Sequence, residues 1–302
     1  MTLAAGWPIP GPGRNGRPGR SSRPPARPRR LTGNSVGERG TFRAGIGGWT
    51  FEPWRGVFYP RGLKHAAELA FASRALSTLE INSTYHTSQK PESFAKWAAA
   101  TPDDFVFTVK ASRFATNRKI LSQAGESVEK FLGQGLEELG PKLGPILWQF
   151  MPTKKFDPDD LAGYLDLLPQ TLNGLKLRHV LEPRHESFAD PKFVRLCRER
   201  NIAICVSENE GYPVIPDITA DFVYARLLKG SDDIATCYPA AELDAWADRF
   251  VAYGAGDVPA DFQPLDRTGP PPGPREVFAF LISGGKVNAP AGAQALIQRM
   301  AT

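Results

Sequence analysis

The strongest constraint on the fold of this chain is an eightfold alternation of short apolar runs with helical patterns, which begins at Phe42. The runs are rich in β-branched or aromatic residues, as in parallel strands that are buried on both faces. Several intervening helices have proline at their first position, and Pro158 and Pro191 each follow a capping aspartate. The pattern predicts eight strands, over residues 42–46, 78–82, 105–110, 146–150, 176–182, 202–207, 222–227 and 277–281.

Eight strand–helix units in about 260 residues match the size of a (β/α)8 TIM-like barrel, a fold of the α/β class. The structural alternative is an open doubly wound sheet, which usually carries a G-x-G-x-x-G turn after its first strand. Gly45, Gly47 and Gly48 do not have that spacing, so the sequence favours the barrel. The proline-rich segment 255–275 precedes the last strand, and we predict a loop insertion there, on the face opposite the site.

The positive charge of the chain lies in residues 1–40, where eight arginines stand against one acid, Glu38. This segment contributes +7 to a formal net charge of +5, so residues 41–302 carry −2. It also has eight glycines and seven prolines, and too little apolar surface to offset the entropy lost on ordering. We therefore predict a disordered tail over residues 1–40 and one barrel domain over residues 41–302.

Three interpretations of this basic tail remain: a nucleic-acid-binding arm, a solvated appendage, or a translation start placed too far upstream. We favour the two that give the tail no binding role. The remainder of the chain is slightly acidic, which is not typical of a nucleic-acid-binding domain.

Cysteine use indicates a reducing compartment. Cys197, Cys205 and Cys237 show no C-x-x-C spacing and are too few for a secreted disulfide framework, so we predict a cytoplasmic protein. Cys197 and Cys205 lie in apolar segments and are predicted core residues.

No run approaches the roughly 18 apolar residues of a membrane helix, so we predict no membrane partner. The sequence has no P-loop, and we predict no cofactor.

Polar side chains collect where the predicted strands end, which in a barrel is the face that carries the chemistry. Ionisable groups are costly to bury unless they are paired. In one interpretation, Glu80 and Glu182 are neutralised by Lys110, Arg184 or Arg226 in a structural network. In the other, the two carboxylates flank a substrate and the cations hold its anionic group. The two interpretations are compatible with each other.

The same rim has two further features that bear on ligand binding: possible metal-binding side chains and a cluster of aromatic residues. Glu80, Glu182 and His185 could together bind one divalent metal ion. Their spacing in the sequence matches no known metal-binding motif, so we predict no metal. The segment 49–59 carries five aromatic residues after the first strand, beginning with Trp49. They are suited to stacking on a base or a sugar ring, although packing over the barrel end is the favoured interpretation.

Six segments together resemble the YecE-like family, also known as domain of unknown function 72. They are GIGGWTFEPWRGVFYP (45–60), LEINSTYH (79–86), TPDDFVFTVK (101–110), LGPILWQF (143–150), EPRHESF (182–188) and FVYARLLKG (222–230). The resemblance implies a TIM-like barrel without an established reaction. It supports as pocket residues Glu80, Asn82, Tyr85, Lys110, Gln149, Glu182, Arg184, His185, Tyr224 and Arg226.

We therefore expect a metal-independent enzyme that acts on a small anionic metabolite or sugar derivative. The expected catalytic residues are Glu80, Glu182 and His185, with one glutamate as the general acid or base. The residues expected to bind substrate are Trp49, Asn82, Tyr85, Lys110, Gln149, Arg184, Tyr224 and Arg226. The alternatives are a nucleic-acid-binding or nucleic-acid-processing barrel and a non-catalytic scaffold, and the sequence leaves the oligomeric state open.

Overall fold

A computed structural model of the chain describes residues 40–269 and 273–301. Its strands are β1 (Phe42–Gly47), β2 (Thr78–Ile81), β3 (Val106–Lys110), β4 (Leu143–Gln149), β5 (Thr171–Leu172), β6 (Leu175–Lys176), β7 (His179–Glu182), β8 (Ala203–Glu208), β9 (Phe222–Leu227) and β10 (Glu276–Leu281). Its α-helices are α1 (Glu68–Ala75), α2 (Ser83–His86), α3 (Pro91–Ala100), α4 (Arg113–Thr116), α5 (Gly125–Leu132), α6 (Pro158–Leu165), α7 (Pro191–Glu199), α8 (Ala240–Ala255) and α9 (Ala289–Met300). None of the described helices is both long and apolar enough to cross a membrane.

Eight parallel strands close into a barrel in the order β1-β10-β9-β8-β7-β4-β3-β2. Each of the eight predicted strands overlaps one of these, and the predicted TIM-like barrel is confirmed. The predicted disordered tail, residues 1–40, lies outside the described residues except for Gly40.

The interior of the barrel changes from apolar to polar along the strands. On β9, Phe222, Tyr224 and Arg226 share one face because strand side chains alternate with a period of two. Phe222 and Tyr224 belong to a buried apolar cluster with residues from five other barrel strands, separate from the larger core between strands and helices. Arg226 is the next residue on that face, at the carboxyl end of the strand. The apolar cluster is therefore the floor beneath the polar rim.

A second polar layer lies at the opposite end of the barrel. Glu276 pairs there with both Arg43 and Arg178, and the Arg178 guanidinium lies 5.4 Å from the Phe222 ring and 5.1 Å from the Phe278 ring. Each of these three charged side chains is about one-fifth exposed. Glu276 thus holds two arginines at the end of the barrel opposite the polar rim.

The strand predicted over 176–182 is divided in the structure. Its first residue belongs to the antiparallel hairpin β5–β6, and the barrel strand β7 begins only at His179. The hairpin turn is Asn173–Gly174, and both residues have positive φ, as a type I′ turn requires. The Asn-Gly pair is the sequence signal that predicts such a hairpin.

His179 lies on the outer side of the barrel wall. Its Nδ1 accepts a hydrogen bond from Trp148 Nε1 (3.1 Å), and its Nε2 lies 2.8 Å from the Pro169 carbonyl oxygen. Burial lowers the pKa of His179 to about 4, so the ring is neutral and donates from Nε2. These contacts give His179 a structural role.

The predicted loop insertion over 255–275 begins at the last residue of α8 and ends just before β10. Among its described residues, Leu265 and Asp266 donate backbone N–H groups to the buried carboxylate of Asp217.

The three cysteines are free and buried, and Cys197 and Cys205 lie in the core as predicted.

Candidate functional site

Two buried glutamates face one buried arginine at the carboxyl end of the barrel. Arg226 donates from Nη2 to Glu80 Oε1 (3.0 Å) and from Nη1 to Glu182 Oε2 (2.7 Å). Arg226 is 2% exposed, and both carboxylates are fully buried. The three residues come from β9, β2 and the end of β7, and the closed barrel brings these strands around one axis. The rim predicted from strand ends therefore contains a carboxylate–guanidinium–carboxylate group.

The second oxygen of Glu80 is also occupied. Tyr224, two residues before Arg226 on β9, donates its hydroxyl proton to Glu80 Oε2 at 2.6 Å. The Tyr224 hydroxyl lies 3.2 Å from Thr108 Oγ1 on β3. Burial, with the charge of Glu80, raises the pKa of Tyr224 well above its ordinary value, so the phenol keeps its proton.

Glu182 has more donors than Glu80. Its Oε1 accepts from Arg184 Nε (3.1 Å) and Nη2 (2.9 Å), and its Oε2 accepts from Gln149 Nε2 (2.8 Å) as well as from Arg226. Burial alone raises the pKa of Glu182, but Arg226, Arg184 and Gln149 together hold it below its usual value. Glu182 is therefore an ionised anchor for two arginines.

Lys110 differs from the other cations of the rim because no carboxylate holds it. It is the last residue of β3 and is half-buried, and its Nζ lies 4.2 Å from the centroid of the Tyr85 ring. In the part of the chain that the structure describes, Nζ has no hydrogen bond or ion pair. Burial and the charge of Arg226 lower the pKa of Lys110 to about 8, against the opposing effect of Glu80 and Glu182. A sizeable fraction of the amine is thus neutral just above neutral pH.

Three further predicted residues lie on the same rim of the barrel. Asn82 follows β2, and its side chain lies close to β1, since a Cβ atom added at Gly47 would be 2.8 Å from Asn82 Nδ2. The Tyr85 hydroxyl accepts a hydrogen bond from Asn117 Nδ2 at 3.2 Å. Arg184 is 20% exposed and lies 4.7 Å from the ring of Tyr212, a contact that the sequence did not suggest. Arg184 thus connects the buried group with solvent.

His185 and Trp49 are placed differently from the other candidates. His185 Nδ1 accepts the backbone N–H of Ser187 (3.1 Å) and so caps the short 3₁₀ helix Glu186–Phe188. The Trp49 ring packs edge-on against Trp97 (5.2 Å) and lies 6.1 Å from the Phe107 ring. Across residues 40–269 and 273–301, neither side chain bonds to the carboxylate–guanidinium group. The structure supports a capping role for one and a packing role for the other.

A metal on the two glutamates would compete with donors already in place. Every oxygen of Glu80 and Glu182 accepts from a tyrosine, an amide or a guanidinium. Among the described residues, no three His, Cys, Asp or Glu side chains are grouped as metal ligands. The absence of a metal from this site stays a prediction.

A cavity of about 610 Å³ opens between the loops that follow β3 and β4. We call it the basic cavity, and its lining residues are Thr116, Asn117, Arg118, Lys119, Met151, Thr153, Lys154, Lys155, Phe156 and Asp157. Our sequence analysis missed it because charge was summed over all of residues 41–302. A count loop by loop finds five basic residues and no acid in the two short segments 113–119 and 154–155.

Comparison with known proteins gives a family and a fold. The family model described as protein of unknown function DUF72 matches residues 43–302. A DUF72 family protein from Thermotoga maritima is 22% identical, with a TM-score of 0.64 over 86% of this chain and 98% of that one. A DUF72 family protein from Enterococcus faecalis is 15% identical, with a TM-score of 0.61 over 87% of this chain and 98% of that one. No curated protein matches the chain.

Proposed function

This chain belongs to the DUF72 family, and we propose that its barrel is a metal-independent enzyme acting on a small anionic metabolite or sugar derivative. The observation that carries the proposal is Lys110, an amine without an ion-pair partner at the end of a barrel strand. Glu80 and Glu182 balance the charges of Arg226 and Arg184, so Lys110, when protonated, is the one uncompensated charge among these five residues. An anionic ligand would complete this balance.

The proposed roles of the two glutamates follow from their contacts. A general acid or base needs an oxygen that can exchange a proton with the substrate. All four oxygens of Glu80 and Glu182 instead accept hydrogen bonds from protein donors, three of them from Arg226 or Arg184 and Glu80 Oε2 from the Tyr224 hydroxyl. We therefore assign them as positioning residues, and the same saturation supports chemistry without a metal at these carboxylates.

Lys110 is the proposed base. A neutral amine accepts a proton from the substrate, and the pKa of Lys110, about 8, is close to the working range of a base near neutral pH. The ammonium ion that results would remain beside the face of the Tyr85 ring, which attracts a cation. Arg184, the most exposed member of the arginine–glutamate group, is the proposed contact for the anionic part of the substrate, with Asn82 and Tyr85 orienting it.

The first prediction concerns the amine itself. After reductive ¹³C-methylation of the full chain, we expect the Lys110 resonance to titrate near pH 8, about two units below the exposed lysines. Lys110→Arg should remove that resonance, and Lys96→Arg, which changes an exposed lysine, should leave it in place. A spectrum in which every lysine titrates above pH 10 contradicts the assignment of Lys110 as the base.

The second prediction concerns binding. We expect at least one compound from a panel of sugar phosphates and carboxylate metabolites to raise the Tm of the full chain. Arg184→Gln keeps a donor for Glu182 but removes the charge, and should weaken that binding by at least about tenfold. Arg195→Gln, which alters a half-exposed arginine on α7, should leave the affinity unchanged.

A non-catalytic scaffold is the second candidate, and the saturation of both carboxylates is the observation that favours it. On this alternative, no compound in the panel raises the Tm, and variants of the rim lose stability without any effect on ligands. That result would replace the enzyme proposal with the structural one.

A further inference from the structure

The basic cavity lies between the loops after β3 and β4 and beside the mouth of the barrel, and no role has been assigned to it so far. We infer that it binds the phosphate group of a phosphate ester, which is then the substrate class of the proposed enzyme. This inference rests on the proposed function and adds to it the chemical class of the ligand.

Uncompensated charge is the first argument. Lys119 and Lys155 are exposed at the cavity, and in the described residues neither side chain has an ion pair. Arg118 donates to the Phe114 carbonyl and to Ser127 Oγ, neither of which neutralises it. Three positive charges therefore remain at the cavity, although residues 41–302 as a whole carry a net charge of −2.

The acids near the cavity cancel only part of this charge. Asp157 lines the cavity and contributes one negative charge, and its Oδ1 accepts the backbone N–H groups of Asp159 and Asp160 at the start of α6. The Asp160 carboxylate pairs with Lys154 at 2.6 Å, so these two charges neutralise each other. The net formal charge of the lining residues, together with Asp160, is +2. This charge matches that of a dianionic phosphate group.

The cavity walls are joined before any ligand arrives. Lys154 lies on the loop after β4, and its Nζ donates across to the Lys119 carbonyl on the loop after β3 (2.8 Å). Asp160 accepts the backbone N–H groups of Leu121 (3.0 Å) and Ser122 (2.8 Å) from that same loop. Burial alone raises the pKa of Asp160, but Lys154 and these backbone donors hold it at about 2. Such a preformed site saves the ordering cost of binding.

A chain of side-chain contacts connects the cavity with the proposed base. Asn117 lines the cavity and donates to the Tyr85 hydroxyl, and the Tyr85 ring faces Lys110 Nζ. The cavity is therefore linked to the proposed base by two side-chain contacts, and the phosphate ester that we propose would extend from Lys119 and Lys155 towards Lys110. The volume of about 610 Å³ is in the range of small-molecule sites and exceeds what one phosphate group fills. A phosphate ester fits this space better than free phosphate does.

The test compares charge-matched double variants of the full chain. Lys119→Gln with Lys155→Gln removes the two uncompensated lysines, whereas Lys64→Gln with Lys192→Gln removes two exposed lysines elsewhere. The probes, measured by calorimetry, are sugar phosphates, the corresponding free sugars, inorganic phosphate and a single-stranded decanucleotide. We expect a sugar phosphate to bind more tightly than its free sugar and than phosphate. The K119Q/K155Q variant should lose at least about tenfold in affinity, and the control variant should lose none.

The other outcomes overturn the inference in distinguishable ways. Full affinity of K119Q/K155Q for sugar phosphates removes the cavity from the binding site. If a carboxylate metabolite without phosphate binds and Arg184→Gln abolishes that binding, the proposed function survives and the phosphate inference fails. If only the decanucleotide binds, and K119Q/K155Q loses it, the cavity is a nucleic-acid site and not a phosphate-ester site. Silence across these probes rejects the phosphate inference, and silence across the carboxylate metabolites as well rejects the proposed function.

Discussion

Replacing Arg226 with methionine is expected to lower the free energy of unfolding by about 3–5 kcal/mol, a fall in Tm of roughly 6–20 °C for a domain of this size. The reason is the pair of fully buried carboxylates that Arg226 holds, Glu80 and Glu182. Without the guanidinium, Glu80 keeps one neutral hydroxyl donor and no cation, and a buried charge that loses its partner is strongly destabilising. Urea unfolding and calorimetry measure the loss.

The control for this variant separates the buried charges from general damage. Adding Glu80→Gln and Glu182→Gln to Arg226→Met removes the stranded carboxylates and should recover a large part of the lost stability. Arg200→Met, which breaks the exposed pair with Asp166, should cost no more than about 1 kcal/mol. Equal losses for Arg226→Met and Arg200→Met would contradict the ion-pair account of the rim.

The barrel was predictable because the alternation of strand and helix patterns can be recognised in short stretches of the sequence. The predicted strand 222–227 coincides with β9, and the prediction 202–207 differs from β8 by one residue. At β4 the prediction began three residues late because Gly144 and Pro145 are typical of turns. In the structure Gly144 lies against β3, where a Cβ atom would be 2.5 Å from the Phe107 carbonyl oxygen. Tertiary pairing there overrides local preference.

The membership of the rim was predictable from the sequence, but the roles within it were not. Placement at strand ends was enough to bring Glu80, Glu182 and Arg226 together. The hydrogen-bond partners of each carboxylate oxygen depend on the order of the strands around the barrel. The position of a residue at the end of a strand does not predict that order. The unpaired state of Lys110 is likewise a property of the assembled rim. The basic cavity forms only when two loops from different strand–helix units meet.

Gly45→Ala is expected to destabilise the barrel by about 4 kcal/mol or more and to reduce the yield of folded protein sharply. Gly45 lies in β1 and pairs with Thr78 of β2 and Phe280 of β10. An added Cβ atom would lie 2.0 Å from the Thr78 carbonyl oxygen. That oxygen belongs to the backbone, so relief requires β1 and β2 to separate. Circular dichroism and the Tm of any folded fraction measure the effect.

Gly125→Ala is the matched control, because the same methyl group there has room. Gly125 begins α5, and its added Cβ atom would meet Leu167 Cδ2 at an ordinary 3.7 Å. Alanine favours the helix, so this variant should be neutral or more stable by up to about 1 kcal/mol. The register that fixes Gly45 opposite Thr78 also places Gly47 opposite Glu80. A folded Gly45→Ala protein with a wild-type Tm would show that β1 tolerates displacement and would contradict this account of the β1–β2 contact.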